Sequence, residues 1–419
     1  MSQLKEQYKA AAISIANSIC RDAVWDDNRC NWIGSSSEEN YGTARGYAKA
    51  LGTNFYDGAI GISWFLLNAS LLHNQPIILK TAKASLEQVI HTELKKKPTD
   101  QTLPGKLGFH TGWTGIAYVL SYAADLLEEP AYKKAAAQFI EKIMALPQEY
   151  WGLDVIDGPA GAIPALIHCY KKQPSAPLQQ FIISLGNYLI EKADKQPNGW
   201  SWDTMQERTH NLTGYGHGAA GFATAFAELF SFTGDTQYLQ IVKAIVQYED
   251  SHFDTAQQNW PDYRKFETGH QQPTENSTTV CSLAWCHGAP GIGLSRLRIL
   301  EVTNDPYFKH GVDAAVSTTL KNLNVFSVGN YSMCHGVFGN AELILYAAKV
   351  LNKPQLIAAT ETAVNECISD FVSKRITLPN GLQSGHDTPD FMLGSSGMGY
   401  FFLRMIDSEK FPCMLLLRP

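Results

Sequence analysis

The sequence predicts an all-α fold: an α/α toroid in which seven inner helices are wrapped by seven outer ones, in a single domain over residues 1–419. Three features point there. Gly-x-x-Gly recurs seven times along the chain. Each glycine pair opens an apolar run of helical length. Each interval to the next pair holds a second, amphipathic helical pattern.

In chain order, residues 1–35 open with "MSQLKEQYKAAAISIANSICRDAVW", apolar at helical period, and are expected as a helical lead-in. The glycine pairs follow at Gly58/Gly61, Gly112/Gly115, Gly158/Gly161, Gly218/Gly221, Gly288/Gly291, Gly336/Gly339 and Gly394/Gly397. Their spacings are 54, 46, 60, 70, 48 and 58 residues. The runs they open, such as "GHGAAGFATAF", are apolar on all sides and read as buried inner helices. Lacking Cβ atoms, the glycines let backbones crowd at each helix start and leave amides open toward one face. The intervening "NQPIILKTAKASLEQVIHTEL", "PAYKKAAAQFIEKIMAL" and "APLQQFIISLGNYLIEKA" mix apolar positions with Lys and Glu and read as half-exposed outer helices. Residues 251–280 are long and polar and are expected as a loop ahead of the fifth glycine pair. "RITLP" at 375–379 is the one strand-like run, and the terminal "PCMLLLRP" is expected to pack on the toroid.

Composition excludes several function classes. Lys and Arg total 34 against 40 Asp and Glu, a net charge of -6 with no basic cluster, so nucleic acid is not an expected partner. No signal peptide and no 18-residue apolar window is present, so no membrane span is expected. The eight cysteines are scattered rather than framed for disulfides, which fits a reduced, cytoplasmic protein. Nothing marks an interface, and a monomer is expected.

The residue before each first glycine is Asp57, Thr111, Asp157, His217, His287, His335 and Leu393. In a toroid these helix starts share one rim, so titratable groups far apart in sequence would meet there. Cys286 and Cys334 each stand one residue before such a histidine, in "AWCHGAPGIG" and "SMCHGVFGN". Two thiolates and one or more imidazoles suit zinc. Four ligands, Cys286, Cys334, His287 and His335, would close the site; three would leave a position open. The bland reading is that such residues are small buried hydrophobes and core histidines. His217 could be a ligand or an acid/base group beside the metal. Asp154 and Asp157 could orient an imidazole or cap a helix. Trp151, Trp200, Trp202 and Trp285 could line a peptide wall or belong to the core.

The segments "DVIDGPAG", "GHGAAG", "WCHGAPGIGLSRL" and "CHGVFGN" together resemble the LanC-like lanthionine cyclases. "WCHGAPGIG" is most similar to the cyclase domain of the class II, bifunctional lanthipeptide synthetases. "AVWDDNRCNWIG" (23–34) and "NWPDYR" (259–264) are similar to stretches of those proteins too. The resemblance runs from about Cys20 to Arg404 and implies an α/α toroid with one Zn2+ per chain. It places the ligands on Cys286, Cys334 and His335, an acid/base histidine on His217 and its acidic partner on Asp154. It leaves His287 as a catalytic, proton-transferring or supporting group rather than a ligand. The implied reaction is addition of precursor-peptide cysteine thiols to dehydroalanine or dehydrobutyrine, giving thioether rings. Stand-alone nisin-type relatives carry an arginine four residues before the first zinc cysteine, where this chain has Ser282, and often a tyrosine where it has His287. The group that stabilises the enolate is therefore unassigned. The bifunctional relatives carry a large dehydratase domain in front; this chain starts at Met1, so a separate dehydratase partner, or an excised domain, is expected. The rival readings are a LanC-like enzyme that adds glutathione or another small thiol to dehydroamino acids, a non-catalytic peptide-binding toroid, and a toroidal glycosidase or prenyltransferase. The last two enzymes lack, respectively, a use for the cysteines and a basic cluster for a diphosphate.

Overall fold

The computed structural model describes residues 3–40, 43–72, 75–95, 99–206, 208–264, 280–382 and 387–417. Its helices are, in order, α1 (Gln3–Arg21), α2 (Ala59–Ser70), α3 (Pro76–Lys95), α4 (Trp113–Leu127), α5 (Pro130–Met144), α6 (Pro159–Lys172), α7 (Ala176–Lys192) and α8 (Ala219–Thr233). They continue with α9 (Gln237–Ser251), α10 (Ala289–Thr303), α11 (Val312–Lys321), the single turn α12 (Val325–Val328), α13 (Val337–Val350), α14 (Ile357–Cys367) and α15 (Ser395–Ile406). Among the described residues, no helix is long and apolar enough to cross a membrane.

The toroid is present. Helices α2, α4, α6, α8, α10, α13 and α15 form the inner ring, each buried along most of its length. Each outer helix packs on the inner helix before it, α3 on α2, α5 on α4, α7 on α6, α9 on α8, α11 on α10 and α14 on α13. The seventh outer helix is α1, which covers α15 and anchors through Lys5 Nζ to the Ile406 carbonyl at 2.6 Å. Buried ion pairs tie inner neighbours together. Arg298 of α10 holds Glu228 of α8 at 2.6 Å, and Arg404 of α15 holds Glu342 of α13 at 2.7 Å. Arg404 also donates to the Phe411 carbonyl at 2.6 Å, which draws the buried C-terminal segment onto the ring as expected.

The lead-in departs from its helical expectation beyond Arg21. Two antiparallel hairpins follow, β1 (Val24–Asp26) with β2 (Arg29–Asn31) and β3 (Ile33–Asn40) with β4 (Thr43–Ala50). Asp27, at φ 53°, makes the first reversal, a conformation that Asp tolerates better than most residues. A third hairpin joins β5 (Asp194–Gln196) to β6 (Gly199–Ser201). The strand-like run at 375–379 forms no strand and is irregular. Residues 252–264 are non-helical, as expected for the polar loop; the rest of that loop, 265–279, lies outside the described residues.

The glycine repeat has a mechanical cause. The first glycine of every pair is the N-cap of an inner helix. The second sits one turn in, where the preceding loop folds back over the helix. A Cβ there would fall between 1.8 and 2.3 Å from the carbonyl oxygen six residues earlier, on Phe55, Phe109, Val155, Tyr215, Trp285, Met333 or Phe391. Helix propensity alone would favour alanine by about 1 kcal/mol. Gly161→Ala should instead lower the melting temperature, because Val155 O stands 2.0 Å from the new methyl and is backbone, with no side chain to swing away. Thermal denaturation checks this; an unchanged or raised midpoint would contradict the close approach.

Candidate active site

The seven loops ahead of the inner helices hydrogen-bond to one another around the rim. Tyr56 N–H donates to His110 O (2.9 Å), His110 N–H to Ile156 O (3.2 Å) and Val155 N–H to Gly216 O (3.2 Å). Gly216 N–H donates to Cys286 O (3.1 Å), Trp285 N–H to Cys334 O (3.1 Å), Cys334 N–H to Met392 O (2.9 Å) and Met392 N–H to Tyr56 O (2.9 Å), closing the circle. Residues 56, 110, 156, 216, 286, 334 and 392 hold one repeat position, two before the first glycine. Side chains from this position and the next form the site.

Cys286 and Cys334 are such equivalents in successive loops, and their thiols face each other closely enough to interact. That contact pushes the Cys286 thiol well up and draws Cys334 down. The Tyr56 hydroxyl donates to Cys334 Sγ at 3.0 Å. His335, next to Cys334, donates from Nε2 to the Gly381 carbonyl at 3.0 Å, which leaves Nδ1 with its lone pair. A metal-ligating histidine usually carries this kind of backbone-carbonyl anchor on its other nitrogen. Two adjacent sulfurs and an imidazole so oriented are a donor set that fits zinc. Among the described residues, no three His, Cys, Asp or Glu side chains already converge on one metal-sized point.

His217 and Asp154 meet across two loops, with Nδ1 and Oδ2 2.6 Å apart. The other Asp154 oxygen accepts the backbone N–H groups of Ile156 (2.8 Å) and Asp157 (3.1 Å), so the carboxylate cannot swing away. Burial pushes the Asp154 pKa up, but the hydrogen bond and charge of His217 outweigh it and hold it below the usual value. Burial likewise works against protonated His217, and Asp154 reverses this, raising its pKa. With Nδ1 engaged, Nε2 is the nitrogen His217 can offer to a substrate. Asp157 is not a helix cap: Gly158 takes that position and no side chain caps α6.

His287 is buried, its ring lying 5.9 Å from that of His217 at 28°. Burial pushes its pKa down to about 3, so at neutral pH it is an uncharged imidazole. Its Nδ1 faces Asp262 Oδ1 at 3.8 Å. Asp262, fully buried, accepts from Ser282 Oγ at 2.8 Å and pairs with Arg264 Nη2 at 2.7 Å. The guanidinium of Arg264 acts electrostatically on both cysteines. A cation therefore reaches the region of Ser282 from a different segment. Asn259 organises the same corner, its Oδ1 accepting the Ala289 N–H at the start of α10 at 2.7 Å.

The expected ligands Cys286, Cys334 and His335 lie in two neighbouring rim loops without converging on one point, while His217 pairs with Asp154 and lies against His287 in the loops beside them. Tyr56, Asp262 and Arg264 were not foreseen. The shared repeat position could have disclosed Tyr56, and "NWPDYR" contains the other two. The tryptophans do not form a wall. Trp202 stacks on Phe222 in the core, Trp285 is buried with Nε1 on the Leu415 carbonyl, and Trp151 packs on Phe181 and Tyr188 of α7.

Burial, and then the Asp154 carboxylate, raises Asp157 to about 7. In the unfolded chain it titrates near about 3.9. Between those values the folded protein keeps a proton that the unfolded chain has released, so its contribution to stability falls as pH rises through that window. Asp157→Asn removes the penalty. Its stability relative to wild type should improve from about pH 4 to about pH 8 by on the order of 4 kcal/mol, read by urea unfolding at both pH values. A difference independent of pH would show that Asp157 ionises normally.

Comparison with known proteins agrees with this architecture. The family model described as lanthionine synthetase C-like protein matches residues 49–416. The lacticin 481/lactococcin biosynthesis protein LcnDR2 of Lactococcus lactis subsp. lactis is 23% identical over 409 residues. That match covers 92% of this chain and 39% of the relative, so the chain spans well under half of that protein's length. Among solved structures, nisin cyclase superposes with a TM-score of 0.66 at 20% identity, covering 87% of this chain and 92% of that one, and shares the fold. A family match running through all seven inner helices decides the assignment: the chain belongs to the lanthionine synthetase C-like proteins.

Proposed function

We propose that this chain is a zinc-dependent lanthionine cyclase, which adds cysteine thiols of a dehydrated precursor peptide to dehydroalanine or dehydrobutyrine in the same peptide. The observation that carries the reading is the placement, on one rim, of a Cys286–Cys334–His335 donor set and an Asp154–His217 dyad. The proposal includes one zinc per chain, a dehydratase activity that supplies the substrate, and a monomeric, cytoplasmic protein.

Zinc held by Cys286, Cys334 and His335 would lower the pKa of an incoming thiol and favour its thiolate at neutral pH. The chain's own residues handle the protons and charge. His217, oriented by Asp154, takes the thiol proton at Nε2. The sulfur bonds to the β-carbon as the carbon–carbon π bond opens, and the electron pair moves toward the carbonyl to give an enolate. The proton from His217 then goes to the α-carbon, so no net proton is gained or lost. Arg264, fixed by buried Asp262, is assigned to balance the enolate charge in place of the arginine that Ser282 replaces. Neutral His287, against the face of His217, is assigned to hold that ring and to relay protons rather than to act as a cationic acid.

Metal analysis paired with thiol-alkylation mass spectrometry on a dehydrated one-cysteine peptide tests the reading. Wild type should carry one zinc per chain and consume the peptide thiol without adding mass. Cys334→Ala should lose both the metal and ring formation. His217→Ala should keep the metal while the rate drops about 10²–10⁴-fold. No zinc in wild type prepared without chelator would sink the proposal. A glutathione adduct in place of a ring would shift the substrate to a small thiol.

A further inference from the structure

We propose that Tyr56 protects Cys334 from the enzyme's own substrate: its hydroxyl hydrogen bond quiets that ligand sulfur so that the peptide thiol, and not the protein, reacts. The inference rests on the cyclase reading above. A dehydroamino acid brought to this site meets three sulfurs, those of Cys286, Cys334 and the substrate cysteine. Addition of Cys334 would form an S–C bond to the β-carbon, open the π bond and place a proton on the α-carbon. The product is a stable thioether on the protein, and one ligand is spent. A site with this chemistry needs a way to rank its sulfurs.

The geometry supplies one. A hydrogen bond to sulfur withdraws lone-pair density and lowers nucleophilicity. The Tyr56 hydroxyl is 3.0 Å from Cys334 Sγ, though the two residues lie 278 positions apart. The phenol is not free to wander. Tyr56 N–H is tied to His110 O at 2.9 Å, and its carbonyl accepts Met392 N–H at 2.9 Å. Met392 O in turn accepts the Cys334 N–H at 2.9 Å, so a continuous backbone path fixes donor and sulfur relative to each other. The ring edge of Tyr56 rests on His110, centroids 6.0 Å apart. Tyr56 acts through Cys334 and is a positioning residue in this scheme.

Tyr56→Phe keeps the ring and deletes the donor. With cobalt(II) as the metal probe in the full chain, the thiolate-to-cobalt absorption band should move to longer wavelength at unchanged stoichiometry. After turnover with the dehydrated peptide, peptide mapping should find the Cys334 adduct raised about fivefold, the factor one ordinary hydrogen bond is worth, with Cys286 unaffected. Fluorinated tyrosine at position 56, a stronger donor, should move both readouts the other way. An unchanged band and unchanged Cys334 adduct in both variants would overturn the inference while leaving the cyclase reading intact. Failure of wild type to bind cobalt or zinc at all would remove both.

Discussion

The circle of seven backbone hydrogen bonds around the rim is the constraint on which the rest of the structure depends. Each bond joins loops from successive repeats, so each loop must lie flat over the helix it precedes and touch its neighbour. The second glycine of each pair makes that possible by letting a carbonyl come closer to the helix than any Cβ would allow. The site is a by-product of the circle's symmetry. One repeat position provides Tyr56, Cys286 and Cys334; the next provides Asp157, His217, His287 and His335. A rigid main-chain frame fixes where these side chains start, and their own hydrogen bonds need only settle the last rotation.

Electrostatics then differentiates positions that geometry makes alike. His217 and His287 occupy equivalent places and nearly stack, yet one is pushed toward protonation by Asp154 and the other is held neutral by burial. Cys286 and Cys334 are equivalent too, but only Cys334 receives the tyrosine hydroxyl. Two matched groups with opposite tendencies are what proton transfer and selective sulfur chemistry need. Asp262, Arg264 and Asn259, from the segment before α10, add further partners from outside the repeat.

Much of this was legible in sequence, for a physical reason. Glycine has a narrow set of uses, and seven pairs at similar spacing, each before an apolar run, left little room but for buried helix starts; all seven N-caps fall on the first glycine. The dyad was legible only through the family resemblance, which set Asp154 beside His217; the residues alone left Asp154 and Asp157 as alternatives. Tyr56 was not, because its partner is at the far end of the chain and a tyrosine beside a glycine motif looks like core. The hairpins after Arg21 were missed because each strand is three to eight residues long and alternates too briefly to show a period. The role of α1 was hidden for the opposite reason: its amphipathic pattern was plain, but nothing local names α15 as the surface it covers.

That last pairing has a consequence during synthesis. The apolar stripe of α1, with Tyr8, Ala12, Ile15 and Ile19, finds its main resting place on α15, the last helix of the ring. Between emergence of Arg21 and of Ile406 the ribosome adds every inner helix, on the order of 20–80 s at ordinary elongation rates. Through that interval the ring is an open arc in which α1 lacks its principal partner and the last inner edge does not yet exist. Closure of the ring therefore waits on α15, and until it emerges the apolar stripe of α1 has only its smaller contacts with α2 and α3 to rest on.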